Sequence, residues 1–240
     1  MRGAGNWAGA RNLLCIRLDA LGDVLMTEPA IRALRGSLAR SRITLLTSTS
    51  GAEACGMIAA IDDVIAYDPP WMRSGSGQRR REDRGMIDRL ARHRFDGAVI
   101  FTVYSQSALP AAYLTHLAGI PRSLAYGREN PYHLLTDHRA EDEPHRIVRH
   151  EVRRHLDLVA SIGCSTPDER IHVRPSPRAR RSIRERIGAM GLRRDEPWVV
   201  VHAGATAPSR RYPVERFAEV VARLRRDLRW PVVLTGSETE

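Results

Sequence analysis

The chain has 240 residues, 42% of them hydrophobic but only 5% aromatic, and a formal net charge of +10 at neutral pH. This is ordinary globular composition with an aliphatic core, in a chain long enough for one large domain or for one domain and part of a second. No apolar run approaches the ~20 residues of a membrane-spanning helix, and Met1–Ala10 lacks an apolar stretch long enough for a signal peptide, so any work at a membrane is expected from its surface.

After a short leader, Asn12–Leu18 (NLLCIRL) is a compact apolar run of the kind a buried parallel strand shows. Asp19–Asp23 (DALGD) reads as a turn in which Gly22 lets the backbone bend sharply, and Val24–Ser37 reads as a helix. Ile43–Thr47 is the next strand, Ala52–Ile61 a short helix and Asp63–Tyr67 a third strand. Asp68–Gly85 carries prolines, glycines and the run Arg79–Arg81, which predicts an exposed, mobile loop. Met86–Arg94 then reads as a helix, Phe95–Phe101 as a fourth strand, Ser107–Ala118 as a helix and Ser123–Tyr126 as a short strand. Arg128–Pro144 is polar and reads as irregular. Arg146–Ile162 has a helical apolar face through Ile147, Val148, Val152, Leu156 and Val159.

Cys164–Pro177 contains three prolines and marks a crossing between domains. Ser176–Met190 is an arginine-rich helix, Trp198–His202 restarts the strand pattern, Val214–Leu228 is an amphipathic helix and Pro231–Thr235 a further strand. The alternation of strands and helices predicts an α/β fold with doubly wound sheets. The expected division is an N-terminal domain over 11–175, a connecting helix over 176–194, and the start of a second domain over 195–240 that this chain does not finish.

All 38 basic Lys-or-Arg positions are Arg. Their spread over many elements, without interleaved aromatics, argues for a coding bias over a nucleic-acid surface, although so basic a protein is drawn to anionic partners such as nucleotide-sugars, acidic glycans or a membrane face. Cys15, Cys55 and Cys164 are far apart and form no CxxC pair, so neither a zinc site nor a redox centre is expected, and a reducing cytoplasm fits best.

Three segments carry chemistry. In LDALGDVLMTEPAIRALR, Asp23 stands beyond a strand end, where doubly wound sheets bind ligands; read locally, it serves equally as a helix cap. The segment lacks the three-glycine spacing of a dinucleotide fingerprint, which argues against an NAD site. In VVVHAGATAPSRRYPVERFAEV, a strand ends at His202. The small residues Gly204, Ala205 and Thr206 follow, then Ser209, Arg210 and Arg211 precede Pro213, read as a first-turn helix proline. Free N–H groups, hydroxyls and guanidinium groups together suit a diphosphate, and solvated arginines on an ordinary loop are the plainer alternative. In LTGSETE, Gly236 follows a strand and Glu238 is placed to accept from ribose hydroxyls. No DxD pair stands at a strand end, and Asp62 with Asp63 reads as a turn, so no metal and no cofactor are expected.

Taken together, IRLDALGDVLMTEPAIRAL, VHAGATAPSRRYPVERFAEVVARL and VVLTGSETE resemble glycosyltransferase family 9, the ADP-heptose:lipopolysaccharide heptosyltransferases, over nearly all of residues 12–240. The resemblance implies a GT-B fold, in which two Rossmann-like domains take the acceptor (N-terminal) and the donor (C-terminal). It implies Asp23 as general base, with Arg17 and Gly22 beside it and Arg17 facing the donor phosphate. It further implies Arg210 on the donor diphosphate, Thr206 and Ser209 in the phosphate loop with His202, Gly204 and Ala205, and Gly236 and Glu238 at the nucleotide. The expected activity is an inverting, metal-independent transfer of a sugar, a heptose by resemblance, from a nucleotide diphosphate to a cell-surface glycan or glycolipid precursor. The expected place is the cytoplasm, with any membrane contact peripheral, at the inner face of the cytoplasmic membrane.

The chain departs from the family after its fourth strand, where it has FTVYSQS. On the acceptor side Ser105, Gln106, Arg128, Glu129, His133, Arg149 and His150 are candidate contacts to a sugar or an anionic group, against the plainer reading of solvated loop and helix residues. A GT-B enzyme using a UDP- or GDP-sugar, an epimerase, and an arginine-driven nucleic-acid module are the competing readings.

Overall fold

The computed structural model describes residues 7–72, 80–193, 195–205 and 207–236. It divides into two compact units, Met1–Pro175 and Ser176–Glu240.

In the first unit the strands are β1 (Asn12–Arg17), β2 (Arg42–Thr47), β3 (Asp63–Ala66), β4 (Gly97–Ile100), β5 (Ser123–Gly127) and β6 (Asp137–Ala140). They form a parallel sheet in the order β3-β2-β1-β4-β5-β6. This is the doubly wound Rossmann order, in which the direction of winding reverses between β1 and β4. The helices are α1 (Leu21–Ser37), α2 (Thr49–Cys55), α3 (Arg80–His93), α4 (Leu109–Leu117) and α5 (Glu151–Ala160).

Strand side chains alternate between the two faces. Leu13, Cys15 and Val99 face a core shared with α1, α2 and α5, while Leu14, Ile16, Ala98 and Ile100 face the core beneath α3 and α4. The same parity sends Arg17, at the end of β1, to the α1/α5 side. Burial pushes the Cys15 thiol up to about 12, and all three cysteines are free and buried.

Several elements differ from the sequence reading. The end of the leader is anchored: Trp7 is 2% exposed, and its indole N–H donates to Asp137 Oδ2 at 3.1 Å. α1 begins at Leu21, so Gly22 lies inside its first turn. The turn is made at Ala20, with φ −76° and ψ 172°. That is extended backbone any residue adopts, and a Cβ on Gly22 would meet nothing within 4 Å. The predicted loop over Asp68–Gly85 ends early because α3 starts at Arg80, and residues 73–79 lie outside the described ones. β6 was missed within Arg128–Pro144 because it is a polar edge strand, DHRA, with no apolar run to mark it. α5 begins five residues later than expected. The Arg149 backbone N–H donates to Glu143 Oε1 at 2.6 Å instead of entering a helix, and Val148 is left 72% exposed.

Gly51, in the first turn of α2, lets that helix approach the end of β2 and the start of α1. A Cβ there would stand 2.1 Å from Thr47 Oγ1, 2.9 Å from Val24 Cγ2 and 3.1 Å from the Asp19 carbonyl oxygen. Gly51→Ala is therefore expected to overpack this junction and cost about 1–3 kcal/mol, measured as a lower urea midpoint at unchanged slope.

The second unit contains α6 (Pro177–Ala189), β7 (Val199–His202), α7 (Val214–Leu228) and β8 (Val232–Thr235). The Ser176 hydroxyl caps α6 by accepting from the Ala179 N–H at 3.1 Å. β7 and β8 pair in parallel, with α7 crossing between them. Pro213 is the N-cap of α7 and not a first-turn residue; its carbonyl accepts from the N–H groups of Arg216 and Phe217. No described helix is long and apolar enough to cross a membrane.

Candidate functional site

The winding reversal between β1 and β4 brings the turn after β1 beside the loop after β4, at the carboxyl edge of the sheet. A cavity of about 270 Å³ opens there, with Leu18, Trp71, Met72 and Phe101 among its apolar walls and Asp19 and Gln106 among its polar groups. Gln106 donates from its amide nitrogen to Asp19 Oδ1 at 2.6 Å, so the candidate Gln106 is brought to the β1–α1 turn. Ser105, its neighbour, is exposed.

Arg17 organises this corner. Its side chain is fully buried, and each guanidinium nitrogen faces a different carboxylate. Nε lies 2.9 Å from Asp19 Oδ2, one terminal nitrogen 3.1 Å from Glu151 Oε1, and the other 3.3 Å from Asp23 Oδ1. A buried cation needs such partners, since an uncompensated one would be expensive to desolvate. Arg17 was expected to face a donor phosphate; its guanidinium is instead committed to these three side chains. Asp23, in the first turn of α1, keeps 41% of its side chain exposed. Among the described residues nothing bonds its second carboxylate oxygen.

The α5 partners were not found from the sequence. Glu151 and His155 stand one helical turn apart, with His155 Nε2 3.0 Å from Glu151 Oε1 and 3.2 Å from Arg17. Burial works against charge on Glu151, but His155, Arg17 and Arg154 hold its carboxyl below the usual range. Burial pushes His155 below the ordinary imidazole value; Glu151 opposes this, and Arg17 and Arg154 add to it. The spacing i, i+4 of an acid and a histidine was the available signal, but nothing in the sequence placed it opposite Arg17.

The other acceptor-side candidates do not converge on this corner. Arg128 donates to the carbonyl oxygens of Tyr104 and Glu143, tying two loops together. Arg149 is absorbed by Glu143, by Asp157 at 3.2 Å and by the Tyr126 hydroxyl at 3.1 Å. Glu129 and His133 are exposed on the β5–β6 connection. His150 is the exposed N-cap of α5 and makes no side-chain capping bond. Asp62 accepts from the Ile43 N–H at 2.7 Å and pairs with Arg35, while Asp63 pairs with Arg42.

In the second unit, His202 closes β7 and its Nδ1 lies 3.0 Å from the Thr235 carbonyl oxygen, pinning the ends of the two strands. The loop through Gly204 and Ala205 is held by Arg211, whose Nε donates to the Ala205 carbonyl at 2.7 Å. Ser209 and Arg210 lie in a 3-10 turn, Pro208–Arg210, and both are exposed. The Arg210 guanidinium meets no partner among the described residues, unlike that of Arg211. Gly236 follows β8 directly. Thr206 and Glu238 lie outside the described residues.

The family model for glycosyltransferase family 9 (heptosyltransferase) matches residues 85–240. The chain belongs to glycosyltransferase family 9. It is 22% identical over 236 residues to a Haemophilus influenzae protein provisionally assigned as a glycosyltransferase, covering 95% of this chain and 64% of that one. Among solved structures it resembles the family 9 glycosyl transferase of Veillonella parvula, with TM-score 0.74, 20% identity, and coverage of 95% of this chain and 63% of the other. It also resembles E. coli ADP-heptose LPS heptosyltransferase II, with TM-score 0.67, 20% identity, and coverage of 95% and 65%. E. coli heptosyltransferase WaaC with ADP-2-deoxy-2-fluoro heptose gives TM-score 0.65 at 19% identity, with coverage of 95% and 70%. The fold is thus the GT-B type of the heptosyltransferases, and the chain spans under two thirds of the H. influenzae and V. parvula proteins' lengths.

Proposed function

We propose that this chain carries the acceptor-side domain and the opening of the donor-side domain of an inverting, metal-independent glycosyltransferase. The observation that carries this reading is Asp23. It stands at the winding reversal, in the first turn of α1 four residues past the cavity-lining Asp19, with one carboxylate oxygen turned to Arg17 and the other unbonded among the described residues. In the reaction, the acceptor hydroxyl gives its proton to that free oxygen as its own oxygen bonds to the anomeric carbon. The bond from that carbon to the diphosphate breaks, and its electron pair leaves with the diphosphate. An aspartate of ordinary basicity serves because the hydroxyl becomes acidic only as the new bond forms. Arg210 and the N–H groups of the Gly204–Ala205 loop meet the negative charge that develops on the leaving group.

The apolar wall with Trp71 suits the face of a sugar ring, while Gln106 and Asp19 suit its hydroxyls. An ADP-heptose donor is supported by the likeness to a heptosyltransferase solved with an ADP-heptose analogue. A glycan or glycolipid acceptor, met at a membrane surface by a strongly basic protein, is supported by the charge of +10. A cytoplasmic location is supported by the three free cysteines, which persist in a reducing compartment.

The donor reading is tested by calorimetric titration of the full-length protein with ADP, UDP and GDP. ADP is expected to bind most tightly, and Arg210→Ala to weaken it roughly 10-fold or more, as loss of a charge-assisted contact should. Equal affinity for all three nucleotides would remove the ADP assignment, and an unchanged affinity in Arg210→Ala would remove the phosphate role.

A further inference from the structure

Arg17 is a cation enclosed by Asp19, Asp23 and Glu151, and its three nitrogens are divided among them. A guanidinium is a rigid planar fork, so fixing two of its arms fixes the direction of the third. Glu151 accepts a hydrogen bond from one arm and Asp19 faces Nε as an ion pair without hydrogen-bond alignment, so Glu151 is the directional hold on the fork, and the remaining arm donates to Asp23 Oδ1. Glu151 belongs to α5, which packs along α1, the helix bearing Asp23. The plane of the fork is therefore set by a different element from the one it orients.

Glu151 is itself held. His155 lies one turn further along α5 and is buried at 1% exposure. Its ring meets Phe101 edge-on at 5.1 Å, and its buried Nδ1 has no hydrogen-bond partner among the described residues. A proton on Nδ1 would be a stranded buried donor; the Nε2 lone pair would then accept from the Arg17 nitrogen 3.2 Å away but would also face the Glu151 carboxylate at 3.0 Å. A proton on Nε2 donates to Glu151 Oε1 and leaves only an unpaired acceptor, the cheaper arrangement. The neutral Nε2–H imidazole is thus assigned from the bonding pattern. In that form His155 adds no charge to a cluster that already sets three carboxylates around one arginine.

We propose that Glu151 and His155 are positioning residues for the general base: they fix the Arg17 guanidinium, which turns one Asp23 oxygen inward and leaves the other facing the acceptor hydroxyl. This rests on the reading of Asp23 as the base. Neither α5 residue touches substrate; both act through Arg17. Orientation of a base matters because a misplaced oxygen loses turnover without losing binding.

The test is a double-mutant cycle in the full-length protein, following kcat, the KM for the nucleotide-sugar and the thermal midpoint. Glu151→Gln keeps the size of the side chain and removes its charge. It is expected to lower kcat about 10-fold with donor KM unchanged, and to have almost no further effect in an Asp23→Asn background, where there is no base left to orient. His155→Gln, whose amide N–H replaces Nε2–H, is expected to keep kcat within about 2-fold, whereas His155→Leu should fall as far as Glu151→Gln. These His155 variants decide the matter if Glu151→Gln does not fold. If Asp23→Asn lowers turnover to a measurable residual rate but Glu151→Gln multiplies with it, or lowers only the thermal midpoint, the positioning role is overturned while the base stands. If Asp23→Asn itself leaves kcat unchanged, both fall.

Discussion

Asp23→Asn in the full-length protein is expected to lower kcat by about 10²–10⁴, the usual loss when a general base is removed. The substitution is nearly isosteric, and its carbonyl oxygen can still accept from Arg17 in place of Oδ1, now 3.3 Å from the guanidinium. With 41% of the side chain exposed, folding stability should move by no more than about 0.5 kcal/mol. Nucleoside diphosphate affinity should also hold, because the groups assigned to the diphosphate are other residues. The expected result is a fall in kcat with the dissociation constant for ADP and the thermal midpoint unchanged. Retained turnover would show that another group takes the proton, and lost ADP binding would show that Asp23 serves the donor instead.

The Rossmann character of the first unit was legible because its inner strands are apolar on both faces. NLLCIRL, RITLLT and GAVI cannot be solvated, and each is followed by a helical pattern. β6 was not legible, since DHRA at a sheet edge needs burial on only one side and carries no apolar signature. Asp23 could be placed at a strand end by counting, and so could the loop of Gly204 to Arg210. What counting could not supply was the partner of Arg17. A fully buried arginine at a strand end demands carboxylates, and Asp19 and Asp23 lay nearby in sequence. The third, Glu151, is 134 residues away, brought in by packing of α5 on α1. Arg149 and His150 are basic residues in the same segment, yet Glu143 draws the first into the interior and the second stands exposed at the N-cap position without a capping bond. The parity of Arg17 on β1 was the only local hint that its partner would come from the α1/α5 side.

A second buried arginine governs stability. Arg154 is 1% exposed and bonds to Glu143 Oε2 at 2.6 Å, to Glu141 Oε1 at 2.9 Å and to the Thr102 carbonyl at 3.0 Å, with its guanidinium 4.5 Å from the Tyr126 ring centre. Arg154→Met removes the charge at similar length and leaves Glu141 and Glu143 enclosed. Arg149 then remains 3.0 Å from one and 3.9 Å from the other. With Arg149 still beside both carboxylates, the expected loss is about 3 kcal/mol, because the lost charge-assisted bonds leave their desolvation less compensated. For a chain of this size that lowers the thermal midpoint by roughly 10 °C. The dependence on pH gives a second measurement. Burial opposes charge on Glu143, but the Arg149 N–H and the two arginines outweigh it and hold its carboxyl below the ordinary range. A folded value below the unfolded one stabilises the protein above the unfolded pKa of about 4.3, and that contribution disappears as pH falls through the folded value. The wild type should therefore lose this contribution as pH falls below about 4.3. Arg154→Met, in which burial of Glu143 is less opposed, should start lower and show a flatter fall. Urea unfolding at pH 7 and pH 3 measures both terms. Equal losses over that interval in the two proteins would mean that Arg154 does not hold Glu143 in its charged form.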